Sequence, residues 1–260
     1  MACDVLAESC EALLTPDTEI TAAPEILLEG YRRAETRIRE YAKEAGHAVT
    51  EYDTTLSAVI FDGETAAFGH SGDGGIAALT RTGDYIKLTE PQKADDGYCV
   101  IPLRAGEAHW EFGICGEALS GVLLATDGVY DALAPYLLRG QTPEFYVPLI
   151  RYFLDGTVYG VTAENIREFE ESRRQFLTGE SCRAITDDKT VLAVMNTDAP
   201  PAAKDASYYA EPDWAALQEA WNRRAYPHLY KNDSDGAAEK RTDAEVASAQ
   251  EKPETLSGQE

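Results

Sequence analysis

Three short turns in this chain carry residue types that can do chemistry. They are His70-Ser71-Gly72-Asp73-Gly74-Gly75, Thr126-Asp127-Gly128-Val129-Tyr130-Asp131 and Ile185-Thr186-Asp187-Asp188-Lys189-Thr190. Each sets an Asp beside an apolar run with strand character. Carboxylates brought to strand ends from distant segments supply the hard oxygen ligands that Mg²⁺ or Mn²⁺ prefers. The expectation is that Asp73, Asp127 and Asp187 belong to one metal site. Taken singly, each turn has an ordinary explanation. Gly72-Asp73-Gly74-Gly75 is good hairpin chemistry, Asp127 before Gly128 suits a helix cap, and Asp187-Asp188 suits a polar turn. The three together are harder to explain that way, because Asn or Ser would cap a helix equally well. His70 is close to Asp73 and could act as an acid, but a satisfied strand histidine is the favoured reading. His47, His109 and His228 show no ligand spacing.

The totals bound the function. Lys and Arg number 23 against 46 Asp and Glu, a net charge of −23, so attraction to nucleic acid or an anionic membrane through a general basic field is not expected. No run is long enough to span a bilayer, and the first residues lack the basic-then-apolar pattern of a signal peptide. A cytoplasmic protein is expected. The cysteines Cys3, Cys10, Cys99, Cys115 and Cys182 share no Cys-x-x-Cys spacing and read as small hydrophobes in a reducing compartment. With 44% hydrophobic residues the chain can build one sizeable core.

The elements that must position the turns follow from periodicity. Residues 1–14 have helical spacing without a capping residue before them, so this helix reads as entered partway and prone to fray. A second helix starts at Ala23-Pro24-Glu25 and ends at Gly46. The period then changes to two. Strands are expected at 56–60, 65–70, 76–80, 85–88, 98–103, 110–112 and 122–125, with Asp62-Gly63 turning the first pair. Helices are expected at 129–138 and 143–154 and from Thr162 through Phe176, before a last strand at 190–195. Ala199-Pro200-Pro201-Ala202-Ala203 reads as a linker, and Pro212-Asp213-Trp214 opens an amphipathic helix. The predicted organisation is a domain over 1–198, a linker and helix over 199–230, and a disordered acidic tail over 231–260. The fold class is α+β, with helices covering sheet faces.

With these motifs in hand, the chain resembles the metal-dependent protein phosphatases of the type 2C family. Thr54-Thr55-Leu56, Gly72-Asp73-Gly74-Gly75, Thr126-Asp127-Gly128-Val129-Tyr130-Asp131 and Asp187-Asp188-Lys189-Thr190 stand in that family's order, and the Gly-Asp-Gly-Gly form is similar to bacterial members. The resemblance implies two stacked antiparallel β-sheets flanked by helices, an αββα sandwich. It also implies Mg²⁺ or Mn²⁺ between the sheets, and hydrolysis of phosphoserine or phosphothreonine by a metal-activated water. By the resemblance Asp127 and Asp187 hold a core metal, and Asp73 with Asp127 an accessory one. Thr126 and Gly128 set the turn, Asp188 stands where many members carry Asn, and His70 and Asp188 are supporting residues. The implied partners are proteins phosphorylated on Ser or Thr and a cognate Ser/Thr kinase, with no nucleic acid and no membrane.

The sequence departs from the family pattern ahead of the first helix, where an Arg for the phosphate, a Glu-Asp strand and an Asp-Gly-x-Gly turn are missing. The expectation is therefore a domain incomplete at its N-terminus, weakly active as it stands. The alternative is a non-catalytic pseudophosphatase that keeps the fold as an interaction module.

Overall fold

The computed structural model describes residues 1–94, 97, 99–183 and 185–230. The expected tail at 231–260 lies outside the described residues. The chain divides into two compact units, Met1–Glu211 and a second from Pro212 onward.

In the first unit, α1 (Ala2–Leu13) and α2 (Ala23–Ala45) form where the sequence predicts them. Gly46 closes α2 with φ 72°, the left-handed cap that favours glycine. The two helices pack closely: a Cβ on Gly30 would lie 2.3 Å from Leu6 Cδ1. The ammonium of Met1 pairs with Asp4 at 2.8 Å at the start of α1, and Leu6 is buried. Tyr31 of α2 is fully buried, and its hydroxyl donates to the Leu56 carbonyl at 2.8 Å. Burying such a side chain contributes roughly 2–3 kcal/mol, and the hydrogen bond fixes α2 to the first residue of β1.

The strands are β1 (Leu56–Phe61), β2 (Ala66–Ser71), β3 (Gly75–Thr80), β4 (Tyr85–Lys87), β5 (Glu111–Ile114), β6 (Leu119–Ala125) and β7 (Val191–Met195). They form two antiparallel sheets, ordered β1-β2-β5 and β4-β3-β6-β7. Alternation along the strands sorts side chains into layers. Ala67 and Leu56 pack with Leu27, Tyr31, Ala34 and Ile38 of α2. Phe68, Ile76, Ala78 and Val122 fill the space between the sheets. Ala77, Leu79, Leu123 and Ala125 face α3 (Asp127–Leu133) and α4 (Val147–Leu154), through Val129, Leu133, Ile150 and Phe153. Phe176 and Leu177 of α5 (Ile166–Thr178) pack against the same cluster. The architecture is the expected αββα sandwich, with β7 joining its sheet from far along the chain.

Several elements differ from the sequence reading. No strand forms over 99–103; Val100 makes one isolated bridge with Lys93, and a short 3₁₀ turn covers Leu103–Ala105. Hydrogen bonds explain this. Gln92 N–H is committed to the Gly72 carbonyl, Leu103 N–H to the Thr54 carbonyl, and Pro102 has no N–H to give to a ladder. Helix α3 stops at Leu133 rather than 138, because Pro135 disfavours helical geometry in the residue before it. Gly72-Asp73-Gly74 joins β2 to β3 without making a hairpin, since those strands lie in different sheets.

Ala202 N–H donates to the Arg81 carbonyl, Lys204 pairs with Asp84 at 2.6 Å, and Tyr208 packs on the core. The segment expected as a linker is thus fastened to the first unit. In the second unit, α6 (Trp214–Ala225) begins with Asp213, whose carboxylate accepts from the Ala216 N–H at 3.0 Å. No helix among the described residues is long and apolar enough to cross a membrane.

Candidate metal centre

The turn over 72–74 carries Asp73 from one sheet to the other, and glycine makes the crossing possible. Gly72 has φ 122°, where L side chains are strained, and a Cβ there would stand 2.3 Å from Thr55 Cγ2. A Cβ on Gly74 would meet the Ala125 carbonyl oxygen at 2.6 Å, and one on Gly75 would enter the Tyr130 ring at 2.2 Å. The turn therefore lies directly on the segment that holds Asp127. Asp73 is buried. Burial pushes its carboxyl above the usual range, nearby Asp127 pushes it further, and Lys93 offsets part of this. Asp131, four residues after Asp127 on α3, is also raised by loss of surrounding water, although its surface stays exposed; Lys93 opposes that shift and Asp127 adds to it.

His70 is buried with both ring nitrogens engaged. Nε2 donates to the Gly72 carbonyl at 3.0 Å, which leaves Nδ1 to accept from Ser57 Oγ at 2.9 Å. Burial drops its pKa to about 4. The ring is neutral near pH 7 and braces the turn ahead of Asp73; it is not free to serve as an acid.

The second and third turns are joined to each other. Thr126 precedes α3, yet its hydroxyl does not cap the helix. It donates instead to the Asp188 carbonyl and accepts from the Thr190 N–H, both at 3.0 Å. The Thr126 N–H donates to the Thr190 carbonyl at 3.1 Å. Gly128 permits this approach: a Cβ there would lie 2.7 Å from the Asp188 carbonyl oxygen and 3.0 Å from Asp187 Cβ. The Asp187 carboxylate accepts from the Asp188 N–H at 2.8 Å. Asp187 and Asp188 are both exposed.

Asp73 and Asp127 line one cleft of ≈ 300 Å³ with Thr55, Thr126, Thr190 and Leu192. Asp187 is not among the residues that line this cleft; its Cβ packs beside Gly128, next to Asp127 in the chain. Among the described residues, no three His, Cys, Asp or Glu side chains are arranged to hold a metal ion. The donors suit Mg²⁺ or Mn²⁺ in kind: carboxylates and hydroxyls are hard oxygen ligands. Two carboxylates also face one cleft at a mutual electrostatic cost that a cation offsets.

Sequence reasoning missed Gln92 and Lys93. The Gln92 N–H donates to the Gly72 carbonyl at 2.7 Å, and the Gly72 N–H donates to Gln92 Oε1 at 3.3 Å. These bonds seat Lys93 beside Asp73 and Asp131. A single Gln-Lys pair after a proline carries no local signal; only the tertiary fold brings it to the turn.

The fold is an αββα sandwich whose inter-sheet turn and α3 bring Asp73 and Asp127 to one cleft. Residues 1–159 match the family model for protein phosphatase 2C, and the chain belongs to that family. Nothing among curated proteins matches it. Solved structures similar to it include PppA of Pseudomonas aeruginosa, at 16% identity and TM-score 0.42 over 53% of this chain and 64% of that one. Also similar is the serine/threonine phosphatase PstP of Mycobacterium tuberculosis, at 17% identity and TM-score 0.40 over 54% and 69%. A PstP catalytic domain in complex with two manganese ions has 17% identity and TM-score 0.48 over 74% and 78%. The chain thus spans 64% of the length of PppA.

Proposed function

We propose that this protein is a cytoplasmic, metal-dependent serine/threonine phosphatase that acts on phosphorylated proteins, in bacterial signalling opposite a cognate Ser/Thr kinase. The observation that carries the reading is the pairing of Asp73 and Asp127 on one cleft, with Asp187 held against Gly128 by the Thr126 clamp. Asp127 and Asp187 would hold one Mg²⁺ or Mn²⁺ ion, and Asp73 with Asp127 another. When bound, such cations polarise the phosphoryl oxygens and lower the pKa of attacking water.

The chain's own residues do the positioning. Gly72, braced by His70 and Gln92, aims Asp73. Thr126 fixes the 187–190 turn, and Gly128 leaves room for it. Thr55, Thr126 and Thr190 line the cleft with hydroxyls suited to an anionic oxygen. His70 is neutral and fully engaged, so it supplies no proton.

The test is phosphate release from a phosphoserine peptide with Mn²⁺ or Mg²⁺. The expected result is turnover that EDTA removes and that Asp127→Asn and Asp187→Asn each reduce by about a hundredfold or more, as for loss of an electrostatic catalytic group. Turnover insensitive to EDTA would overturn the reading. Peptide binding without turnover would move it to a non-catalytic interaction module.

A further inference from the structure

A second, larger cleft of ≈ 650 Å³ opens beside the carboxylates, between the chain over 87–93 and the residues that follow α3. Its cations are Lys87, Lys93 and Arg139, against Glu90 and Asp131. In a chain of net charge −23, a cleft wall on which cations outnumber anions runs against the global field.

The three cations are not equivalent. Lys87 is engaged, with Glu144 at 2.8 Å and Glu90 at 3.4 Å. Lys93 and Arg139 are exposed, and neither side chain makes an ion pair or hydrogen bond that the structure records among the described residues; each acts only at longer range, Arg139 on Glu144 and Lys93 on Asp73 and Asp131. Lys93 is nonetheless held in place, because its neighbour Gln92 is bonded twice to Gly72 and Lys93 itself bridges to Val100. Arg139 sits after the Tyr136–Leu138 turn, its N–H bonded to the Tyr136 carbonyl.

The two clefts are contiguous through one helix. Asp127 lines the smaller and Asp131 the larger. Four residues apart on α3, they lie on the same face about one turn, roughly 5 Å, from each other. An extended peptide advances roughly 3.3 Å per residue. A phosphoryl group at the Asp73–Asp127 cleft would therefore place the next one to three residues of its chain in the larger cleft.

We propose that this cleft selects phosphoprotein segments with acidic residues next to the phosphorylated one, and that Lys93 and Arg139 are the specificity determinants. The proposal rests on the phosphopeptide-directed reading above and names the substrate class. Lys93 takes the acidic side chain nearest the phosphorylated residue, where it also offsets Asp131. Arg139 takes one further out, with a planar fork suited to a carboxylate. Glu90 and Asp131 disfavour a basic segment in the same place, which sharpens the selection.

The test measures equilibrium binding of two fluorescein-labelled phosphoserine nonamers to the full chain by anisotropy. In one, glutamates flank the phosphoserine; in the other, alanines do. The glutamate peptide is expected to bind about fivefold more tightly at low salt, the scale of one or two partly exposed ion pairs. Arg139→Glu is expected to bring the ratio to about one, with Lys93→Glu acting in the same direction. Both side chains are exposed, so an unchanged thermal midpoint confirms that these variants fold. Equal binding of the two peptides, or a preference that Arg139→Glu leaves intact, would overturn the proposal. Phosphate release from the same peptides with Mn²⁺ is read separately. Preference without release defeats the phosphatase reading alone, and release without preference defeats this one alone.

Discussion

The hydroxyl of Thr126 donates to the carbonyl of Asp188 at 3.0 Å, joining two acidic turns 62 residues apart in sequence. The same oxygen accepts from the Thr190 N–H at 3.0 Å, so one side chain sets the start of β7 and the position of Asp187 together. Thr126→Val removes both bonds while keeping the shape. A loss of about 1–3 kcal/mol in stability is expected, because the Thr190 N–H and Asp188 carbonyl lose their partner. A weaker response to Mn²⁺ should accompany it. Thr126→Ser keeps the hydroxyl and should retain most of both. Urea denaturation with and without Mn²⁺ checks the pair; equal behaviour of the Val and Ser variants would refute the clamp.

Gly128 tests the same junction sterically. In Gly128→Ala the new methyl would meet the Asp188 carbonyl oxygen at 2.7 Å and Asp187 Cβ at 3.0 Å. The carbonyl is backbone and gives little, so the 187–188 turn must shift. The expected cost is about 1–3 kcal/mol, with metal-dependent turnover falling further than stability does. Gly46→Ala is the control, since nothing lies within 4 Å of a Cβ there although φ is 72°. It should destabilise α2 without touching turnover.

The layers of the fold were legible in the sequence because period and polarity agree there. The 3.6 spacing of Leu27, Tyr31, Ala34 and Ile38 marks the buried face of α2, and period-two alternation marks the strands. The acidic turns stood out in the sequence because each Asp sits against an apolar strand, and the fold brings two of them, Asp73 and Asp127, to one cleft. What failed was local inference where long-range bonds decide. Residues 99–103 have β-forming side chains, but their segment is committed to the Gly72 turn and to Thr54. The Gly-Asp-Gly-Gly turn has hairpin composition, yet packing against Thr55 and Tyr130 sends it between sheets. His70 is not such a failure: the favoured reading, a satisfied strand histidine, agrees with its bonds to Ser57 and Gly72, although spacing does not identify those partners.

His70 should give the protein an acid sensitivity of definite sign. Burial holds its folded pKa at about 4, below the ordinary imidazole value of 6.5. As pH falls from about 6.5 toward 4, the unfolded chain takes up a proton that the native chain refuses, so stability declines. At about 1.4 kcal/mol per pH unit, the limit is roughly 3 kcal/mol by pH 4. Asp73 and Asp131 have raised folded values and run the other way, gaining stability as they protonate on acidification. His70→Gln should flatten the decline between pH 6.5 and 4.5, measured as urea midpoints across that range. An unchanged slope would mean that the imidazole is not buried as a neutral ring.

The exposed face of β7 predicts self-association. Leu192 and Val194 are 57% and 42% exposed, while the alternate residues Val191, Ala193 and Met195 pack inward on the α-helical side. Among the described residues β7 is also an edge strand, paired with β6 alone. Neighbouring apolar side chains on an unpaired edge invite edge-to-edge contact even in a highly charged chain. Leu192→Lys should shift the protein toward monomer at a given concentration and cost little stability, since the side chain is more than half exposed. Sedimentation velocity across a concentration series reads the shift. An oligomer distribution identical in the wild type and the lysine variant would place any association elsewhere on the surface.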